Sequence, residues 1–185
     1  MVNFKISLGG ISDTIHALFL PKTTNPDILI LSKENFLILV SLRSGMTIAV
    51  LKKSTEEFKK ILRIEINSSF YSKTVLIAAG FDNGWIQIWK MNISKSSIVC
   101  VTLKGHIFPI NSFRFFSQKQ IFFSACQSGN LVFWDLKKKI GLFKIKKAHQ
   151  GKINQLCLVR KDTRKLKFLL TYGEDNFIRF WDIKT

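Results

Sequence analysis

Cysteine, proline and histidine are scarce: three of each among 185 residues. Cys100, Cys126 and Cys157 lie far apart and form no C-x-x-C pair. An odd, scattered set excludes a disulfide framework and a thiolate zinc site. It reads as reduced, buried thiols in a protein of the nucleus or cytoplasm. His16, His106 and His149 are too few for a histidine metal cluster, so no metal is expected. No GxxxxGK[ST] loop is present to cradle a phosphate, and no GxSxG elbow to carry a nucleophile. No cofactor is expected either. The chain also lacks a long uninterrupted apolar run. "ILILSKENFLILVSLRSGMTIAVL" is broken by Lys33, Glu34 and Arg43, where a membrane span needs about 20 nearly uninterrupted apolar residues. "MVNFKISLGG" has no apolar core of the kind a signal peptide needs. Neither secretion nor membrane insertion is expected.

Acidic residues are scarce as well. Twelve Asp and Glu face 29 Lys and Arg, a net charge of +17 and a pI near 10.0. A surface of that sign favours nucleic acid, acidic proteins or anionic lipid. The same excess also fits a solvated lysine surface produced by codon bias, as does the imbalance of 17 Phe against two Tyr.

What the chain does contain is a repeat. Trp89, Trp134 and Trp181 recur at spacings of about 45 residues. Each closes a short apolar strand: Ile86-Gln87-Ile88, Leu131-Val132-Phe133 and Phe177-Ile178-Arg179-Phe180. Each strand follows a polar turn: Asp82-Asn83-Gly84, Ser128-Gly129-Asn130 and Glu174-Asp175-Asn176. Before each turn stands another apolar run, "TVLIAAG", "QIFFSAC" or "KFLLTYG". Two apolar runs around a turn spell a hairpin. The pattern extends backward through the turns at Lys33-Glu34-Asn35 and Arg43-Ser44-Gly45, with Val40 in place of the Trp. Helical periodicity is not sustained anywhere. "KSTEEFKKILRIE" comes nearest, and is expected to be a loop entering a strand with at most a helical turn.

The pairs Gly105-His106 with Trp134-Asp135, and Ala148-His149 with Trp181-Asp182, carry a resemblance to the WD40 β-propeller family. It covers nearly the whole chain, strongly in the second half and faintly in the first. It implies an all-β fold of about four four-stranded antiparallel blades in one domain, 1–185. The repeats run over 9–51, 52–103, 104–146 and 147–185, the first two degenerate. A blade is marginal alone and needs neighbours on both faces, which fits the runs Ile121-Phe122-Phe123 and Phe168-Leu169-Leu170. The order "TLKGH…WDL…KAHQGKI…YGEDNFIRFWD" is similar to ASTRA-associated and Gβ-like WD40 proteins of chromatin and kinase-assembly complexes.

The resemblance further implies a buried tetrad of His, Ser/Thr, Asp and Trp in each well-formed blade. The matching residues are His149, Thr171, Asp175 and Trp181 in the last repeat, and His106, Ser124, Ser128 and Trp134 in the third, where Ser replaces Asp. Ala79 and Asn83 stand at two of the places in the second repeat, which has no His. His, Thr and Asp together also suggest nucleophilic catalysis. The Trp makes the set structural, and no enzyme activity is expected. Four repeats are few for a propeller, which has roughly four to eight blades. A longer parent chain, completion by another chain or a second copy, and a reduced closed ring all fit. Residues 2–8 would serve as a ring-closing outer strand.

In a propeller, Lys137-Lys138-Lys139 would fall in one loop, and Arg160-Lys161 and Arg164-Lys165 in the loop of the adjacent blade on the same face. These form a candidate cationic binding face. Two functions follow. One is a non-catalytic scaffold that joins other proteins in a multisubunit complex, with self-association or a partner-completed ring as variants. The other is an RNA-associated propeller of a ribosome-biogenesis or splicing particle, binding through the cationic face.

Overall fold

The computed structural model describes residues 18–19, 28–41, 44–52, 60–68, 74–92, 97–116, 120–162 and 165–183. The expected outer strand at 2–8 and residues 53–59 of the candidate helical turn lie outside them. Every regular element among the described residues is a strand, and all the sheets are antiparallel meanders, as the propeller expectation requires. The chain divides into two compact units, Met1–Ile61 and Leu62–Thr185.

The first unit holds a four-stranded sheet in sequential order. Its strands are β1 (Leu18–Phe19), β2 (Ile28–Lys33), β3 (Phe36–Ser41) and β4 (Thr47–Leu51). Glu34 and Asn35 form the tight β2–β3 turn, with Glu34 at positive φ. Ile30, Leu37, Leu39 and Leu51 are buried on one face, an alternation that period-2 geometry produces. Val40, in the Trp place, is also buried.

The second unit holds three sheets. The first contains β5 (Ile61–Ser68), β6 (Thr74–Phe81), β7 (Trp85–Asn92) and β8 (Ser97–Lys104). The next contains β9 (Ile110–Phe116), β10 (Ile121–Cys126), β11 (Leu131–Asp135) and β12 (Ile140–Ile145). The last contains β13 (Ile153–Asp162), β14 (Lys165–Gly173) and β15 (Ile178–Asp182), three strands among the described residues.

The core forms in two layers around β10. Phe122 packs with Phe113, Phe115, Ile86 and Ile88 on the side of the preceding sheet. Phe123 packs with Phe133, Ile153, Leu156 and Leu169 on the side of the following one. Adjacent residues of a strand point to opposite faces, so a strand buried on both faces must be continuously apolar. That accounts for Ile121-Phe122-Phe123. Full burial of each such side chain is worth roughly 1.5–3 kcal/mol.

Gly129 follows the same logic of close approach. It turns from β10 to β11 at φ +76, and a Cβ there would strike the carbonyls of His149 and Gly151. The turn of one sheet thus sits directly on the loop that enters the next.

The cysteines depart in part from expectation. Cys126 is buried, but Cys100 and Cys157 are exposed and in no disulfide. Cys100 lies on the outer strand β8, and Cys157 on β13 in the cross-strand row with Leu170 and Phe180.

Candidate functional site

His149 enters from the β12–β13 loop, Thr171 from β14, Asp175 from the β14–β15 turn and Trp181 from β15. The four converge. Trp181 Nε1–H donates to Thr171 Oγ1 at 3.0 Å. Thr171 Oγ1 lies 2.6 Å from His149 Nε2, and His149 Nδ1 lies 2.7 Å from Asp175 Oδ1. One proton order satisfies the chain. The Thr171 hydroxyl donates to Nε2, and Nδ1–H donates to the carboxylate.

Asp175 also accepts from Arg179 Nη1 at 2.7 Å and from the backbone N–H groups of Gln150 at 3.0 Å and Phe177 at 3.3 Å. Burial works to raise its pKa. The bonds from His149, Gln150 N–H, Arg179 and Phe177 N–H outweigh that and hold the carboxyl well below the usual carboxylate range. A carboxylate so satisfied ties loop, turn and strand into one rigid unit. Thr171 and His149 are each about 1% exposed. With a hydroxyl sealed from solvent and engaged by Trp181 and His149, the constellation offers no attacking oxygen to a substrate.

The third-repeat site is incomplete. His106 Nε2 lies 2.7 Å from Ser124 Oγ, and Trp134 Nε1–H donates to the same oxygen at 2.8 Å. Ser128 does not join them. Its hydroxyl lies 3.2 Å from Cys126 Sγ and accepts from Asn130 Nδ2 at 2.8 Å. His106 Nδ1 is therefore buried without a partner. The serine side chain is shorter than aspartate and finds nearer partners in its own turn. Burial, reinforced by the Lys144 charge, pushes the His106 pKa down to about 4. Gly105 is a requirement of packing here, because a Cβ would lie 2.5 Å from the Trp134 ring.

The second-repeat residues are not brought into such a set. Asn83 Oδ1 accepts from Trp85 N–H at 3.0 Å within its own turn. Beside Ala79 across the ladder, Gln87 is fully buried with both side-chain polar atoms unpartnered.

Lys137, Lys138 and Lys139 are exposed in the β11–β12 turn. Asp135 builds that turn. Its Oδ1 accepts from Lys137 N–H at 2.8 Å and Lys138 N–H at 2.9 Å, and its carbonyl accepts from Lys139 N–H at 2.8 Å. The Asp of Trp-Asp is thus an Asx-turn former. His149 N–H donates to Gly129 O, so β13 starts beside the β10–β11 turn and runs toward the end that bears the lysines. The paired strand ends at Asp162 and Lys165 therefore lie at that same end. Arg164 falls outside the described residues, as do the side chains of Arg160, Lys161 and Lys165.

Sequence reasoning missed three features. Arg179 completes the Asp175 site, a role that its position four residues beyond Asp175 makes readable in hindsight. Asp135 shapes the lysine turn. Glu65 pairs with Arg114 at 3.3 Å across two sheets, and Arg63 Nε–H donates to Asn111 O at 2.6 Å, contacts between residues about 50 apart in the chain. Burial pushes the Glu65 pKa up to about 7 against the opposing Arg114 charge. Among the described residues, no group of three or more His, Cys, Asp or Glu is placed to hold a metal ion. Nor is any helix long and apolar enough to cross a membrane.

Comparison with known proteins agrees with this architecture. Residues 98–135 match the family model of the WD domain, G-beta repeat. The match begins in β8 and ends at Asp135, so it includes Gly105-His106 and Trp134-Asp135. No curated protein matches the chain in sequence. A chain of the solved structure titled "Crystal Structure of Mitotic Checkpoint Complex" shares the fold at a TM-score of 0.67 and 15% identity. The alignment covers 91% of this chain and 48% of that one, so this chain spans about half of the solved chain's length. Residues 98–135 are thus similar to one WD40 repeat, and the chain shares its fold with the solved chain.

Proposed function

We propose that the chain is a non-catalytic WD40 scaffold that mediates protein–protein interactions within a multisubunit complex, acting in the nucleus or cytoplasm. The observation that supports it is the β8–β9 loop. Ile107 is 78% exposed and Phe108 44%, on a loop that the adjacent His106–Ser124–Trp134 set holds in place. Two exposed apolar side chains on a rigid loop suit a protein partner better than solvent. Lys144 reaches the carbonyl of Gly105 at 2.9 Å, and Lys146 and Lys147 are exposed nearby in sequence. The surface therefore fits a partner segment that combines apolar anchors with acidic residues.

A tagged pull-down from native cells tests this, with half of the lysate treated with nuclease. Partners retained in both halves, and lost with Ile107→Asp plus Phe108→Asp, support the scaffold. Partners retained by that double variant refute the assignment of this loop.

A second reading is favoured by the lysine turn. Three consecutive exposed lysines in a chain of net charge +17 would neutralise phosphates of RNA. On this reading the partners vanish with nuclease. Charge reversal at Lys137, Lys138 and Lys139 abolishes binding, and log affinity falls with log salt by roughly 0.7 per phosphate contacted on a single strand.

A further inference from the structure

The β10–β11 and β14–β15 turns are one turn built twice. Gly129 N–H donates to Cys126 O at 3.1 Å, and Cys126 N–H donates to Asn130 O at 3.2 Å. At the equivalent places Asn176 N–H donates to Gly173 O at 3.2 Å, and Gly173 N–H donates to Phe177 O at 3.4 Å. Gly129 and Asn176 both take a positive φ, +76 and +60. The two imidazoles are anchored alike as well. His106 Nε2 lies 2.7 Å from Ser124 Oγ, and His149 Nε2 lies 2.6 Å from Thr171 Oγ1. A Trp indole donates to each of those oxygens. Ser128 therefore stands to His106 Nδ1 as Asp175 stands to His149 Nδ1. In the last repeat the donors around the carboxylate are His149 Nδ1–H and the backbone N–H groups of Gln150 and Phe177. The same positions in the third repeat hold His106 Nδ1, Ile107 N–H and Asn130 N–H. Lys144 adds a positive charge near enough to act on His106. What differs is residue 128, whose side chain carries no charge. His106 is 3% exposed, and its Nδ1 is buried without a partner. Leaving a buried polar atom unpaired costs stability.

We propose that Ser128 is a phosphorylation site, and that its phosphoryl group takes the place that Asp175 holds in the last repeat, accepting from His106 Nδ1–H. The burial of Nδ1 selects this source of negative charge. An acceptor dissolved in water or carried by a partner has no open path to a sealed nitrogen. One carried by residue 128 starts beside it. Ser128 is half-buried, on a turn where its neighbour Gln127 is exposed. A protein kinase would supply the group from ATP. The bond from the γ-phosphorus to its bridging oxygen breaks, the Ser128 Oγ–P bond forms, and ADP leaves. The hydroxyl proton passes to a carboxylate base of the kinase. Rotation about χ1 then turns the side chain away from Cys126 Sγ and Asn130 Nδ2, its partners in the unmodified chain. A phosphoserine carries about −1.5 to −2 charge at pH 7 and can form new charge-assisted hydrogen bonds. It reaches one bond further than aspartate, so its spare oxygens face solvent. It would tie the β10–β11 turn to the β8–β9 loop, as Asp175 ties its own turn to the β12–β13 loop. This lock acts whether or not a partner binds the β8–β9 loop.

Two measurements test the site. The chain is isolated from its own cells with phosphatase inhibitors present, and its modifications are mapped by mass spectrometry. A phosphoryl group on Ser128 is expected, and an unmodified Ser128 overturns the proposal. The chain is also made with phosphoserine encoded at position 128 and compared with the unmodified chain. His106, followed by NMR of its imidazole nitrogens, should titrate at a pH higher by about 1–3, as a group facing an opposite charge does. The melting temperature should rise, and phosphatase treatment should reverse both changes. A His106 titration that phosphoserine leaves unchanged overturns the placement, and so does a fall in melting temperature. Ser128→Ala removes the attachment point and breaks none of the bonds among His106, Ser124 and Trp134. Expressed in the same cells, that variant should fold and carry no phosphoryl group in this turn.

Discussion

The last sheet and the one before it carry the same device in two states of completion. Around His149 every polar atom of the tetrad has a partner, and Arg179 adds a further one. Around His106 the Ser and Trp bonds are kept, but Nδ1 is buried with nothing to bond. At Nδ1 the two differ by Asp175 against Ser128. The lesson is that a repeat tolerates an incomplete network when packing compensates. The incomplete sheet is the one buried on both faces, by Phe122 on one side and Phe123 on the other. The complete one has an open face. Polar satisfaction and apolar burial thus stand in for each other across neighbouring repeats.

The largest break in the comparison comes from removing the shared hydroxyl. Thr171→Val leaves His149 Nε2 and Trp181 Nε1–H unpaired, and Ser124→Ala does the same to His106 and Trp134. Each should cost about 3 kcal/mol in urea unfolding, since a buried unsatisfied group costs about 1–3 kcal/mol. Equal losses would show that the two networks are alike at this end and differ only at Nδ1.

The pH profile separates them next. The folded His106 pKa is near 4 against 6.5 unfolded, so the unfolded state binds the proton first as pH falls. Stability should therefore drop between pH 6.5 and 4, by up to about 3 kcal/mol. Glu65 opposes this. Its folded pKa near 7 against 4.5 means that stability rises as pH falls through the same window. Glu65→Gln should remove that compensation and make the acid loss steeper. An unchanged profile in the variant would mean that Glu65 is ionised throughout and held by Arg114.

Repairing the weaker site should have a smaller effect of opposite sign. Ser128→Asp supplies the acceptor that His106 Nδ1 lacks and should raise stability by about 1 kcal/mol. It should also flatten the acid loss, because a carboxylate at Nδ1 favours the protonated imidazole. A drop in melting temperature would mean that the carboxylate cannot reach. The smallest effect belongs to the lysine turn. Glu at Lys137, Lys138 and Lys139 should shift stability by no more than about 0.5 kcal/mol, as surface substitutions do, because Asp135 bonds their backbone and not their side chains.

The hairpins and the residue types at His149, Thr171, Asp175 and Trp181 were legible because they are local or periodic. Turn chemistry at Asp82-Asn83-Gly84, Ser128-Gly129-Asn130 and Glu174-Asp175-Asn176 marks where each chain reversal falls. The failure of Ser128 to reach His106 was not legible, because a repeat alignment reports position and not reach. Glu65 with Arg114, and Arg63 with Asn111, were not legible either. Neighbouring sheets juxtapose them through contacts that no local pattern encodes.

By itself the sequence determined an all-β chain of repeated hairpins, with apolar runs where strands are covered on both sides. Alternation, turn residues and a period of about 45 residues are written in one dimension. Only the tertiary structure decided which of those apolar faces are covered. Ile86, Leu131 and Ile178 are interchangeable as letters, yet two are sealed and one faces solvent. The reason is physical: burial is a property of what stands opposite a residue, and a residue's own chemistry does not contain it.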